Sequence, residues 1–119
     1  MDMSSSETED TTVTLINVIE IAADQLESFV AGWHERAEFM RTQPGFRDYQ
    51  LHRAILADST FQLINVAHWD SAEAFGAATA DPEFRRQLPA LHGTDVQLTA
   101  HPALYRVVAS ACAGTPLNE

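Results

Sequence analysis

The apolar positions of the chain change period several times, and each change marks an element. Thr12 to Ile21 is rich in β-branched residues and reads as a strand, with Val13, Leu15, Asn17, Ile19 and Ile21 on one face and Thr14, Ile16 and Val18 on the other. Both faces are largely apolar. Leu26, Phe29, Val30, Trp33, Ala37 and Met40 then recur at helical spacing and predict a long amphipathic helix that ends before Pro44-Gly45. Asp24, followed three residues later by Glu27, resembles a capping box for its start. Phe46 to Ile55 reads as a second, more polar strand, Ala57-Asp58-Ser59 as a turn, and Thr60 to Trp69 as a third strand that closes a hairpin. Asp70, with Glu73 at the third position, caps a short helix. Asp81-Pro82-Glu83 starts another helical turn with Pro at its first place. A looser segment from Pro89 to Leu98 leads to a last strand around Ala103 to Ala109.

Leu15-Ile16-Asn17-Val18 returns as Leu63-Ile64-Asn65-Val66, 48 residues later, and each copy leads toward a helix start. Two copies of a strand-helix-strand unit give the order β-α-β-β-α-β, an α+β ferredoxin-like sandwich. In this arrangement the first and third strands are expected side by side and parallel at the sheet centre, which makes Asn17 and Asn65 near neighbours. Right-handed crossovers place both helices on one side of the sheet. The other face, with Ile16, Val18, Ile64 and Val66, is left bare in a monomer and predicts a sheet-to-sheet homodimer.

The length of 119 residues supports one core, expected over residues 12–110, between an acidic Ser-rich tail at 1–11 and a short tail at 111–119. A net charge of -10 with seven scattered basic residues argues against a nucleic-acid partner. There is no charged-then-apolar leader and no long apolar run, so neither a signal peptide nor a membrane span is expected, and the location read from the chain is cytoplasmic. The lone Cys112 agrees, since it has no internal disulfide partner.

Asn65 and Trp69 lie four apart on one strand, so both leave the same face, along with Phe61, Leu63 and Ala67. An unpaired buried amide costs about 1–3 kcal/mol, so an Asn in an apolar strand needs either a protein partner or a wet or ligand-filled cavity. Two readings stay open: Trp69 plugs the end of the core while Asn65 bonds a neighbour, or both line a cavity. The five histidines (His34, His52, His68, His92 and His101) have no metal-binding spacing, and no phosphate loop or nucleophile elbow is present. His52 or His68 as a general base, or as solvated strand residues, is compatible with the pattern. Arg85 or Arg86 follows the second helical segment, either solvated or leaning over a cavity mouth. Trp33, Phe39, Tyr49, Phe75 and Phe84 supply aromatic surface for a flat ligand or for plain core.

The opening strand with Asn17, the turn Thr42-Gln43-Pro44-Gly45-Phe46 and the segment from Asn65 through Trp69-Asp70-Ser71-Ala72-Glu73-Ala74-Phe75 together resemble the antibiotic biosynthesis monooxygenase family over Val13 to Leu88. The resemblance implies a dimeric α+β barrel. One branch oxidises aromatic polyketides to quinones with O2 and no metal or flavin, and implies Asn65, Trp69 and Arg86 as catalytic residues. In that branch a Tyr is expected where Leu51 stands, with Tyr49 two residues away. Asn17, Trp33, Tyr49, Leu51 and Phe75 are then the substrate-binding set. A haem-degrading branch uses an Asn matched by Asn17, but its Trp and His positions fall at Ala78 and Leu88, which removes the axial ligand. The function implied is cofactor-independent oxidation of an anthrone-type phenolic substrate. A non-oxidative binding or cyclase-type accessory protein is the alternative.

Overall fold

The computed structural model describes residues 10–86 and 98–114. Four strands form one sheet: β1 (Val13–Ile21), β2 (Phe46–Arg53), β3 (Phe61–Trp69) and β4 (Leu98–Tyr105). Two helices complete the α+β ferredoxin-like order, α1 (Leu26–Arg41) between β1 and β2, and α2 (Ala72–Ala80) after β3. The spatial order is β2-β3-β1-β4. The two Leu-Ile-Asn-Val segments sit at the centre, and Asn17 is the register partner of Asn65.

The central pair is antiparallel, which corrects the parallel arrangement expected from the sequence. The helical crossover α1 returns the chain so that β2 runs in the same sense as β1, with a gap of one strand between them. The hairpin then reverses β3 into that gap, so β3 opposes both neighbours. β4 also opposes β1.

Several boundaries differ from the pattern reading for local reasons. β4 lies earlier than Ala103 to Ala109, because its pairing with β1 runs from Ile21 opposite Leu98 to Thr14 opposite Tyr105, where β1 is nearly exhausted. β2 stops at Arg53. The loop after it is closed by Gln62, whose buried Nε2 donates to the carbonyls of Leu56, Ala57 and Ser59 at 3.2, 3.0 and 2.7 Å, and Ile55 is fully exposed. A register shift after Ile19 turns Phe61 away from the helices, and its ring meets His101 at 6.2 Å on the bare face.

Neither helix starts as a capping box. Asp24 sits within a 3₁₀ turn, Ala23–Gln25, that feeds directly into α1. The cap of α2 is Ser71, whose Oγ accepts the Ala74 N–H at 3.0 Å, while Asp70 accepts from Arg47 Nε at 2.6 Å. Asp81 does cap the helical turn at 82–86, accepting the Glu83 N–H at 2.8 Å.

The core divides into two clusters along the sheet. Ile19, Ile21, Leu26, Phe29, Trp33, Ala37 and Leu63 form one, and Val13, Leu15, Ala67, Trp69 and Ala78 the other, with Tyr49 touching both. The Pro-Gly-Phe turn joins α1 to the second cluster. Gly45 has φ +88°, and its carbonyl accepts the Asp70 N–H at 2.7 Å. A Cβ at this position would lie 2.5 Å from the Ala74 Cβ. Gly45→Ala therefore combines left-handed strain with a clash, and is expected to lower the unfolding free energy by roughly 2–4 kcal/mol. Urea unfolding measures it, and a loss below about 0.5 kcal/mol would mean that α2 yields freely.

Candidate active site

The row that carries Asn17 and Asn65 separates the two apolar clusters: on β1 it lies between Leu15 and Ile19, and on β3 between Ala67 and Leu63. Amides cannot be packed as hydrocarbon, and here the helices do not close over them. A cavity of about 310 Å³ opens instead between sheet and helices. Its wall is made by Leu15, Asn17, Asn65, Ala67 and Trp69 of the central strands, Trp33, Arg36, Ala37 and Met40 of α1, and Phe46 and Tyr49 of β2. Phe75 and Thr79 of α2, Phe84, and Ala100 and Pro102 of β4 complete it.

Four polar atoms of residues on this wall are fully buried and have no hydrogen-bond partner among the described residues: Asn17 Oδ1, Asn65 Oδ1, Trp33 Nε1 and Trp69 Nε1. Unpaired buried polar groups are rare in native proteins, and each costs about 1–3 kcal/mol. Two acceptors and two donors are thus left over among the residues that line one cavity. Because an amide can rotate to exchange its oxygen and nitrogen, each Asn can serve as acceptor or donor to the same bound atom.

The rest of the wall is aromatic. Trp69 is 1 % exposed and held edge-on by Phe46 and Phe75, with ring centroids 5.2 and 5.6 Å away. Trp33 meets Phe29 at 5.8 Å and Tyr49 at 6.1 Å. Such locked rings give a rigid slot suited to a flat aromatic molecule.

Of the residues singled out from the sequence, the structure brings Asn17, Trp33, Tyr49, Asn65, Trp69 and Phe75 to this one cavity. Leu51 is not on its wall, because it packs beside the first core cluster, facing Asn65 across the β2–β3 ladder. Arg86 is also absent from the wall; its side chain is mostly exposed and pairs with Glu83 within the same helical turn. The charge at the cavity comes instead from Arg36, which sequence reasoning missed. It is one helical turn beyond Trp33, and that spacing was the available signal. Burial lowers its pKa to about 10, so it remains a cation at neutral pH.

The described histidines serve elsewhere. His68 pairs with Asp48 at 2.6 Å and His101 with Glu20 at 3.0 Å, both on the helix-free side of the sheet. No group of three or more His, Cys, Asp or Glu among the described residues is placed to hold a metal ion. Ala78 is buried in the second core cluster, while Leu88 and His92 lie outside the described residues. No imidazole among the described residues lines the cavity. No helix among them is long and apolar enough to cross a membrane.

A ferredoxin-like sandwich with a largely aromatic cavity between its sheet and helices has the form of a small-molecule-binding protein of the α+β class. Residues 12–88 match the family model for antibiotic biosynthesis monooxygenase, and the chain belongs to that family and is a monooxygenase of it. Several solved structures are similar to it, three of them as follows. A protein from Shewanella loihica PV-4, described as a candidate monooxygenase, is 40% identical with a TM-score of 0.71, covering 84% of this chain and 97% of its own. SnoaB, a cofactor-independent oxygenase from Streptomyces nogalater, is 27% identical with a TM-score of 0.66, covering 92% and 99%. MhuD, a heme-degrader from Mycobacterium tuberculosis with two hemes in its active site, is 26% identical with a TM-score of 0.63, covering 84% and 99%. No curated protein sequence matches the chain.

Replacing an unpaired amide by an apolar group of similar size should not weaken the fold. Asn65→Leu is expected to leave the unfolding free energy within about 1 kcal/mol of the parent, or to raise it, while reducing ligand binding in the cavity. Chemical unfolding with a parallel binding titration checks both. A loss above about 2 kcal/mol would mean that the amide is a structural partner.

Proposed function

We propose that the chain oxidises an anthrone-type phenolic, polycyclic substrate with O2 and no cofactor, in the cavity between sheet and helices. The observation that carries this reading is the set of four unpaired polar atoms on Asn17, Asn65, Trp33 and Trp69 around an otherwise aromatic slot. The similarity to SnoaB, a cofactor-independent oxygenase, supports it.

The chemistry asks little covalent work of the protein. A methylene flanked by aromatic rings and a carbonyl loses a proton to give a delocalised anion, which can itself pass an electron to O2. Overall CH2 and O2 become C=O and H2O: one oxygen atom enters the substrate, the other leaves as water, and the substrate carbon supplies all the electrons. The protein must bind the flat ring system, exclude water and stabilise the charge as it moves onto oxygen. The Asn65 amide and the Trp69 Nε1–H are the donors for that oxyanion, Asn17 adds a second amide across the ladder, and the aromatic walls hold the rings.

An oxygen electrode, with 1,8-dihydroxyanthrone as substrate in buffer containing a chelator and no flavin or nicotinamide, tests the reading. One O2 consumed per quinone above the spontaneous rate is expected. Asn65→Ala is expected to lower that rate about 10²- to 10³-fold, the typical effect of removing an oxyanion donor, with near-parental melting. Tight binding without oxygen uptake would move the assignment to a non-oxidative binding or cyclase-type role. A Soret band of high affinity on adding haemin would move it to haem.

The same reading includes a homodimer in the cytoplasm. Ile16, Val18, Ile64 and Val66 are half-buried on the helix-free side of the sheet and form an apolar strip that a second copy can cover. Sedimentation at micromolar concentration is expected to give a dimer, and Val66→Lys, which puts a charge in that strip, a monomer. A parental monomer would refute the sheet-to-sheet contact.

A further inference from the structure

The wall of the cavity carries one charged side chain among the described residues, and it is the cation Arg36. Its guanidinium lies 4.9 Å from the centre of the Trp33 ring and 5.8 Å from that of Phe84, held between two aromatic faces. Among the described residues no carboxylate pairs with it, whereas Arg41, Arg47 and Arg86 each have an acidic partner. Partial burial already lowers its pKa to about 10. A guanidinium partly removed from water is costly unless something neutralises it, and Arg36 lines the cavity.

We propose that Arg36 is the specificity-determining residue of the site, and that it selects ligands that enter the cavity as flat aromatic anions, a phenolate, enolate or carboxylate. The inference rests on the cavity being the substrate site, as proposed above, and extends it to the charge state of the substrate. The whole chain has a net charge of -10, so an anion is repelled at long range. A preference for an anion over a neutral molecule of the same shape therefore has to come from a local cation. The forked donors of Arg match an oxyanion in two-point geometry, and its stacking on Trp33 fixes the fork in place. The ligand's neutral oxygens are assigned to the unpaired atoms of the Asn and Trp side chains, and its charge to Arg36.

The test compares two inert ligands of the same shape, anthraquinone-2-carboxylate and anthraquinone-2-carboxamide. The only two tryptophans of the chain, Trp33 and Trp69, both line the cavity, so quenching of intrinsic fluorescence reports binding there directly. The parent protein is expected to bind the carboxylate at least about ten-fold more tightly than the carboxamide, the range of a charge-assisted hydrogen bond. Arg36→Met keeps the aliphatic stem over Trp33 and is expected to abolish that ratio while changing carboxamide affinity less than about two-fold. Arg36→Lys is expected to restore part of it. If Arg36→Met does not fold, the parent ratio and its fall in Arg36→Lys decide the matter. A ratio near one in the parent, a ratio that survives Arg36→Met, or an absence of binding by either ligand would overturn the proposal. Binding with the expected ratio, but no oxygen uptake in the anthrone assay, would leave Arg36 as the anion reader and refute the oxygenase chemistry instead.

Discussion

The structure turns on one row of the sheet, where Asn17 faces Asn65 across the central ladder. Every other inward position of β1 and β3 near it is apolar, and those residues gather into two clusters on either side. A polar pair in that row cannot be sealed under hydrocarbon without stranding its amides. The helices therefore cover the ends of the sheet and leave the middle open, and the cavity is the consequence. The amides are not satisfied by one another, since both side-chain oxygens remain without partners. Stability is given up along this row, the pattern expected of a binding site held by a rigid scaffold.

The surroundings of that row are built to be stiff. Trp69 is wedged between Phe46 and Phe75, and the residues that place those rings are fixed by the turn at Gly45, by the Ser71 cap and by the Arg47–Asp70 pair. Gly45 is the tightest point, because only a residue without a Cβ allows α2 to approach so closely. From there the chain enters β2, which carries Tyr49 to the cavity and into both core clusters. The helix α1 supplies the remaining wall, with Trp33, Ala37 and Met40 on the stripe that faces the sheet and Arg36 at its margin.

Electrostatics then separate the two sides of the sheet. On the helix side the described cavity wall carries one cation, Arg36, among aromatic rings, while the other side carries His68 with Asp48 and His101 with Glu20 around an apolar strip. In the first arrangement the cation is partly removed from water, which lowers its pKa and leaves its charge less screened than on the open surface. The second is solvated at its rim and apolar at its centre. One sheet thus offers a face with a cavity and a face with an apolar strip, and β1 and β3 serve both through the alternation of a strand.

Much of this could be read from residue order. The apolar alternation of β1 and β3, the helical stripe of α1 and the repeated Leu-Ile-Asn-Val fixed the element order, the sandwich class and the candidate pair Asn65 and Trp69, because period and spacing are local properties of the chain. The direction of the central strands was decided by the hairpin filling the gap left by α1, a relation between distant segments that no local pattern contains. The limits of β4 followed from its partner strand, and Phe61 changed face through a bulge. At the site, sequence placed Asn17, Trp33, Tyr49 and Phe75 among the candidates but could not distinguish core from cavity wall, since both require the same apolar periodicity. It pointed to Arg86, which pairs with Glu83, where the tertiary structure sets Arg36. Which arginine meets the cavity depends on how α1 rolls against the sheet. That roll is determined by Phe29, Trp33 and Ala37 packing over β1 and β3, so only the assembled fold decides where the charge falls.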